Sequence, residues 1–240
     1  MPPFKDRIPG FQVMHFDELI DATVISRPNR FLVMASVDGK EAPVHIHDPG
    51  RLEELIYPGN HIKIRKATGK KTMYSVTFCS NDDVWTFNDS RFHSHIASLF
   101  LDPGCRREVK VGDSRLDFQL GNSYIEVKSA TLVQNGKAMF PDAPTLRGTK
   151  HLETLMRLMD NGFESYVLFL IFNEKARCFE PNTMRDPEFS GAYYRAVDRG
   201  VQFRFLVFSV VNNSIIFSGK IEDCRKLMKM NKCCRFNLYI

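Results

Sequence analysis

The chain has 240 residues, of which 43% are hydrophobic, 25% charged and 12% aromatic. These values are ordinary for a folded globular protein and exclude collagen-like, low-complexity and intrinsically disordered chains. At about 150 residues per domain, the length predicts one or two domains. The formal net charge of +5 permits an anionic partner without requiring one.

Neither a membrane span nor a secretory signal is expected. The longest apolar runs, 166–172 and 205–211, are far shorter than the roughly 20 residues that cross a bilayer. Lys5, Asp6 and Arg7 interrupt the N-terminus before an apolar signal segment can form. The interpretation is a cytoplasmic protein with no membrane partner.

Cysteine spacing predicts neither a zinc site nor disulfides. There is no CxxC pair and no Cys/His spacing of the kind that tetrahedral zinc requires. In a reducing cytosol the cysteines are therefore expected to be free thiols. They are Cys79, Cys105, Cys178, Cys224, Cys233 and Cys234.

The first third of the chain reads as short strands separated by turns. Five strands are predicted, at 19–25, 31–37, 42–47, 61–67 and 73–78. Asp38-Gly39-Lys40 and Thr68-Gly69-Lys70 supply two of the turns, because glycine tolerates the positive φ of tight hairpins. Five short strands in about sixty residues predict a small barrel of the OB type.

A second domain is predicted after the barrel, so that the chain divides into residues 1–84 and 85–240. Asn88-Asp89-Ser90 predicts a helix start. An antiparallel meander of three strands is expected at 108–111, 115–120 and 124–133. A helix at 146–160, a buried strand at 166–172, a helix beginning at Asp186-Pro187 and a strand at 201–210 follow. This order predicts an α/β sandwich around a mixed sheet.

The meander carries the strongest chemical signal. Glu126 and Lys128 lie two residues apart on one strand and therefore share a face, whereas Val127 points into the core. If the turn at Gly121-Asn122-Ser123 pairs the strands, Asp117 lies within cross-strand reach of Glu126. Two carboxylates this close repel each other unless a cation lies between them, and Mg²⁺ or Mn²⁺ fits such oxygen ligands. Lys128 could then orient or deprotonate a water and offset charge on a phosphate.

The Asp, short gap, Glu-x-Lys arrangement resembles the core of PD-(D/E)XK nucleases, although Glu-x-Lys on a strand also occurs by chance as a solvated ion pair. Longer motifs resemble the sugar fermentation stimulation protein (SfsA) family over roughly residues 16–218. They are Arg27-Pro28-Asn29-Arg30-Phe31-Leu32, His47-Asp48-Pro49-Gly50-Arg51-Leu52, Pro58-Gly59, Ser114-Arg115-Leu116-Asp117-Phe118, Tyr124-Ile125-Glu126-Val127-Lys128-Ser129, Phe140-Pro141-Asp142-Ala143, Arg147-Gly148 and Lys150-His151-Leu152.

The resemblance implies an N-terminal OB-like barrel, a PD-(D/E)XK nuclease-like domain, DNA binding without sequence specificity and a regulatory link to sugar metabolism. It implies an acidic cluster of Glu108, Asp117 and Glu126 as metal ligands, with Lys128 as the basic member. The segment 91–101 contains no acid, so the ligand that many such nucleases take from this helix is missing unless Glu108 replaces it. This departure weakens the case for cleavage more than the case for metal binding.

Two groups of basic residues are candidates for contacts with phosphate. Arg147, Lys150 and His151 begin the helix after the meander, where the helix dipole favours an anion. In the barrel, a stretch without acids combines cations with the aromatic residues Tyr57, Tyr74 and Phe78, as OB-folds do when they bind nucleic acid. The barrel candidates are Arg27, Arg30, Arg51, Lys63, Arg65, Lys66, Lys70 and Lys71. The alternative for all of them is a solvated surface.

Three functional hypotheses follow. The first is a DNA-binding protein whose nuclease-like domain holds a divalent metal and cleaves phosphodiesters. The second is a non-catalytic DNA-binding regulator, which would need the cations but not the acids. The third, an enzyme acting on a small phosphorylated ligand, lacks support because neither GxxxxGK[ST] nor a strand-following GxGxxG is present.

Overall fold

The computed structural model describes residues 2–67 and 72–228, which include sixteen strands, three complete α-helices and a helical segment at 224–228. The helices are α1 (His93–Ser98), α2 (Leu146–Asp160) and α3 (Pro187–Asp198). The strands are β1 (Gln12–His15), β2 (Ile20–Asn29), β3 (Leu32–Val37), β4 (Lys40–His45), β5 (His61–Lys66), β6 (Tyr74–Asn81), β7 (Val84–Phe87), β8 (Arg106–Val111), β9 (Ser114–Leu120), β10 (Ser123–Ala130), β11 (Val133–Gln134), β12 (Lys137–Phe140), β13 (Glu164–Ile171), β14 (Cys178–Pro181), β15 (Gln202–Val211) and β16 (Ser214–Asp223).

Strands β2 to β6 form the predicted barrel. The sheet runs β4-β3-β2-β5-β6-β7, and a parallel pairing of β4 with β6 closes it. Alternate residues of β3 are buried, as expected for a strand with one face on a core. The hairpin between β3 and β4 turns at Asp38 and Gly39, both with positive φ, which confirms the predicted turn. The OB-like barrel is confirmed.

The second sheet has ten strands, in the order β11-β12-β14-β16-β15-β13-β10-β9-β8 with β1 paired to β16. The antiparallel meander β8-β9-β10 is confirmed, and β10, β13 and β15 are parallel. Helices α2 and α3 contribute to one apolar core and α1 contributes to another, so the sheet is covered on both sides. The predicted mixed α/β domain is confirmed.

The barrel and the second sheet share residues at their border. Strand β7 still pairs with β6, so the predicted division between residues 84 and 85 falls inside a barrel strand. Phe78 and Phe87 of the barrel pack into the core that contains α1. The N-terminal strand β1 belongs to the second sheet rather than to the barrel. Each part therefore supplies residues to the other.

A loop of the barrel also bonds directly to the loop after β12. The amide of Leu52 donates a hydrogen bond to Asp142 Oδ2 at 3.1 Å. A Cβ on Gly50 would lie 2.5 Å from that same carboxylate oxygen, closer than real Cβ contacts, so any larger residue would displace Asp142 from its bond to Leu52. The motifs around Gly50 and Asp142 thus meet in space and fix the barrel against the sheet.

The expectation of free cysteines is wrong for one pair. Cys178 in β14 and Cys224, just after β16, form a disulfide with a Cα–Cα distance of 4.9 Å. The two strands are parallel neighbours in the sheet, which brings together two cysteines that are 46 residues apart in sequence. Cys79 and Cys105 are free thiols, as predicted, and Cys233 and Cys234 lie outside the described residues.

Among residues 2–67 and 72–228, no helix is both long enough and apolar enough to cross a membrane.

Candidate functional site

Asp117 and Glu126 meet where strands β9 and β10 stop pairing. The backbone ladder between these strands ends at the pair Phe118 and Ile125. One residue further on, the Asp117 side chain takes over as acceptor: the Val127 amide donates to its Oδ2 at 2.7 Å. After burial, the charge of Glu126 is the next cause that raises the pKa of Asp117, so the two carboxyls lie near each other.

The Glu126 carboxylate is buried, with 3% of the residue exposed, and its two oxygens have different environments. Oε1 accepts hydrogen bonds from both Lys128 Nζ and His151 Nδ1. Oε2 is buried and has no hydrogen-bond partner. Burial alone would raise the pKa of Glu126, but the Lys128 ammonium and the His151 ring outweigh it and hold the pKa below its ordinary value. Glu126 is therefore an anion with one oxygen left unsatisfied.

Asp117 has the opposite electrostatic environment. Burial and the neighbouring Glu126 charge raise the pKa of Asp117 to about 7, and they outweigh the Val127 amide bond and Lys128. Near neutral pH Glu126 is therefore fully ionised, whereas Asp117 is close to half-ionised. A pair of carboxyls whose surroundings separate their pKa values in this way is typical of catalytic and metal sites.

Two of the three predicted metal ligands are brought together, and the third, Glu108, lies farther out, although its charge adds to the rise in the pKa of Asp117 after burial and Glu126. Glu108 is 60% exposed and lies 3.9 Å from the guanidinium of Arg115. Among the described residues, no group of three or more His, Cys, Asp or Glu side chains is placed to hold a metal ion. Mg²⁺ commonly binds through only one or two carboxylates, with water and phosphate oxygens completing its shell. The unpartnered Glu126 Oε2 beside Asp117 fits that mode.

The three residues predicted to bind phosphate on α2 divide into two kinds. Arg147 and Lys150 are exposed, and neither forms an ion pair with another described residue. His151 is 3% exposed and faces Glu126, so it cannot contact a phosphate at the surface. The burial of His151 against Glu126 therefore argues against the predicted contact between His151 and a phosphate.

Two of the predicted phosphate-binding arginines of the barrel form hydrogen bonds with other groups of the protein. The guanidinium of Arg27 donates to the backbone carbonyls of Arg30, Gly50 and Arg51. Arg65 bonds the Thr77 hydroxyl and the fully buried carboxylate of Asp89. These contacts tie loops and strands together, and they explain why arginine occurs at both positions without a ligand.

The remaining barrel candidates are more accessible. Lys63 pairs with Asp21 at 2.8 Å and lies over the Trp85 ring, and Arg51 pairs with Glu53 at 3.4 Å. Arg30 and Lys66 are exposed. Lys70 and Lys71 lie outside the described residues. Of the predicted stacking aromatics, Phe78 is fully buried in a core, whereas Tyr57 is 46% exposed.

A substitution separates the structural role of Arg65 from a role in binding nucleic acid. Arg65→Gln is expected to lower the free energy of unfolding by about 2 kcal/mol, because Asp89 loses one of its two charged donors and keeps only Arg91. Chemical denaturation measures this loss. Lys66→Gln, the neighbouring exposed cation, is the control and should change stability by less than about 0.5 kcal/mol. Equal effects of the two substitutions would contradict the structural role.

Sequence reasoning missed two features that shape the site. Asp142 was part of a recognised motif but had no assigned role, and it connects the barrel to the second domain. The contact between His151 and Glu126 joins residues 25 positions apart, on a helix and a strand. A buried polar residue one turn into an amphipathic helix is a signal for such a contact, although it does not reveal the partner.

Comparisons with known proteins match both parts of the chain. Residues 25–87 match the family described as the SfsA N-terminal OB domain, and residues 93–214 match the sugar fermentation stimulation protein RE domain. A sugar fermentation stimulation protein homolog from Picrophilus torridus is 55% identical over 224 residues, which cover 93% of this chain and 99% of that protein. One from Saccharolobus solfataricus is 47% identical, over 90% of each chain.

A solved structure is similar to both domains together. The structure of Pyrococcus furiosus SfsA in complex with Ca²⁺ superposes with a TM-score of 0.81 at 26% sequence identity. The match covers 89% of this chain and 99% of that one. The arrangement of barrel and mixed sheet described above is therefore similar in the two proteins.

Proposed function

Since the chain belongs to the sugar fermentation stimulation protein (SfsA) family, we propose that it binds DNA without sequence specificity and hydrolyses phosphodiesters at a Mg²⁺ or Mn²⁺ site between Asp117 and Glu126. The observation that carries the proposal is Glu126 Oε2, a buried carboxylate oxygen with no hydrogen-bond partner beside a second carboxyl. Together with Lys128, this pair resembles the acidic and basic residues of PD-(D/E)XK nucleases.

The energetics of Glu126 support a cation. An ionised carboxylate in a protein interior is costly unless its oxygens are paired. Lys128 and His151 satisfy Oε1 only, so Oε2 still lacks a partner. A divalent cation would satisfy it and would also favour the ionised form of Asp117. The Ca²⁺ complex of the Pyrococcus furiosus relative is consistent with a hard cation bound by oxygen ligands.

Lys128 supplies positive charge next to the carboxylates. Its Nζ is held by Glu126 Oε1, and only 15% of the side chain is exposed. An ammonium held in this position can donate its remaining N–H groups to an attacking water or to a phosphate oxygen. The bound metal would act as a Lewis acid on the phosphate oxygens.

DNA would be held by the exposed cations rather than by every predicted basic residue. Arg30, Lys66, Arg147 and Lys150 are exposed, whereas Arg27 and Arg65 are engaged with protein atoms. Each phosphate that is contacted adds to the salt dependence of affinity. With a net charge of +5, we expect moderate affinity that falls steeply as salt increases.

The proposal is tested by incubating the protein with supercoiled, linear and single-stranded DNA in Mg²⁺, Mn²⁺ or chelator. Metal-dependent cleavage is expected, with losses on the order of a hundredfold or more in Asp117→Ala and Lys128→Ala. DNA binding by Lys128→Ala, measured in parallel, should fall by a smaller factor. Asp113→Ala removes an exposed acid from the β8–β9 turn and is the matched control, which should cleave like the wild type.

The other outcomes separate the alternatives. Binding without cleavage in any metal, unchanged by Asp117→Ala, would favour the non-catalytic regulator linked to sugar metabolism. No DNA binding even at low salt would reject both DNA-binding hypotheses and leave a small phosphorylated ligand as the alternative.

A further inference from the structure

The Glu126 carboxylate is held from two directions. Lys128 reaches Oε1 from two residues along the same strand, whereas His151 reaches it from α2, on the neighbouring layer. Lys128 has a long and rotatable side chain, so on its own it constrains the carboxylate weakly. His151 has a short, planar side chain that is 3% exposed. The direction in which Oε2 points therefore depends mainly on the histidine.

Helix α2 is itself fixed firmly enough for His151 to act in this way. Thr145 caps the helix by accepting from the Gly148 amide at 3.0 Å, and its own amide donates to Asp186 at the cap of α3 at 2.8 Å. One turn after His151, Thr154 bonds Ser114 of β9 through their hydroxyls at 2.9 Å. The helix is thus attached to the strand that carries Asp117 and to the neighbouring helix.

The bond also defines the chemistry of the ring. A carboxylate oxygen accepts hydrogen bonds, so in this contact His151 Nδ1 carries the proton and donates it to Glu126 Oε1. With Oε1 saturated by two donors, the carboxylate cannot rotate to exchange its oxygens without breaking both bonds. Oε2 is then the oxygen that remains for a cation.

We propose that His151 is a positioning residue for the divalent-cation site, which orients Glu126 through Nδ1 so that Oε2 faces the ion. This inference rests on the proposed metal site but goes beyond it, since it assigns His151 to a ligand's orientation and not to phosphate. Groups that orient a metal ligand in this way typically change metal affinity by about 10- to 100-fold when they are removed.

Three substitutions test the role. His151→Leu removes the donor and should weaken Mg²⁺ and Mn²⁺ binding by about 10- to 100-fold in calorimetric titrations of the DNA-free protein. His151→Asn should recover most of the affinity, because the Asn Nδ2 sits on Cγ as the histidine Nδ1 does. His151→Gln places its amide one bond further out and should recover less.

The control distinguishes positioning from mere packing. Leu158→Ala lies on the same helix, is also buried and loses packing in the apolar core, so it should lower stability while leaving metal affinity within about twofold of the wild type. Wild-type affinity in His151→Leu would overturn the inference and leave the metal site intact. Equal losses in His151→Asn and His151→Leu would also overturn it. No binding of either ion by the wild-type protein would reject the metal site itself and the inference with it.

Discussion

Loss of the disulfide between Cys178 and Cys224 is expected to lower the free energy of unfolding by about 4 kcal/mol. The bond closes a loop between residues 46 apart, and a cross-link of that span restricts the unfolded chain by roughly this amount in the chain-entropy treatment. It also fixes β14 to the end of β16 near the edge of the sheet. Denaturation of the wild type with and without reductant, and of Cys178→Ala/Cys224→Ala, measures the effect.

A free thiol provides the control for this experiment. Cys105 is unpaired and half-buried, so Cys105→Ala should keep the full response to reductant. The double variant should show none, because the bond between residues 178 and 224 is absent from it. If reductant destabilises the double variant as much as the wild type, the stabilisation has another origin.

The sequence predicted those parts of the fold that are formed by strands close together in the chain. The barrel strands and the meander were recognised because alternation and turn residues act over a few positions. The bounds of α2 match the predicted 146–160, because an apolar stripe marks the helix and Asn161-Gly162 marks its end. The two-residue β11 and the four-residue β14, which ends in proline, were not recognised because they offer too few positions for alternation to be visible.

Long-range pairings had no comparable signal. The disulfide depends on β14 lying beside β16, and a parallel pairing between distant strands cannot be read from residue spacing. The same limit applies to β1, which joins the second sheet from the N-terminus. The expectation of free thiols rested on a reducing cytosol and not on any residue spacing.

The sequence predicted those residues of the candidate site that lie on the β9–β10 hairpin. Asp117, Glu126 and Lys128 lie on neighbouring strands joined by a tight turn, so strand periodicity was enough to bring them together. Glu108 lies on the next strand, but its positive φ interrupts the regular alternation of β8, and the side chain ends exposed beside Arg115. Periodicity alone could not anticipate that irregular backbone.

Burial decided which of the basic residues are accessible. Sequence composition marks an arginine as a potential phosphate ligand, yet Arg65 is satisfied by the buried Asp89 and Arg27 by three backbone carbonyls. The sequence marked both arginines as candidate phosphate ligands, but in the structure they hold parts of the protein together. The exposed cations that remain are fewer than the sequence suggested, which is why we expect moderate DNA affinity.

The two carboxyls of the proposed cation site impose a cost on the stability of the metal-free fold. Asp117 is pushed towards its neutral form by burial and by Glu126, so its ionisation destabilises the protein until a cation is bound. This connects the chemistry of the site to a quantity that can be measured without any substrate.

In chelator, Asp117→Asn is expected to raise the free energy of unfolding at pH 8 by several kcal/mol, on the order of 4. The pKa of Asp117 rises from 3.8 to about 7 on folding, and each unit corresponds to about 1.4 kcal/mol. Because the folded-state pKa is the higher one, the native protein binds the extra proton between these values. The stabilisation from this group is thus complete below about pH 4 and is lost as the pH rises to about 7. Asparagine stays neutral and can still accept the Val127 amide, so the variant loses this dependence.

The informative quantity is the difference in unfolding free energy between variant and wild type, since it cancels the titration of groups that both proteins share. The difference should grow between pH 4 and pH 7 and then level off, whereas Asp113→Asn, at an exposed acid, should give a difference close to zero throughout. Mg²⁺ should then reduce this difference in unfolding free energy at pH 8. The ion stabilises the native wild type by binding to it, and it binds the variant more weakly because the variant has one ligand fewer. A difference independent of pH would mean that Asp117 is ionised in the native state without a cation, and that its pairing with Glu126 does not require one.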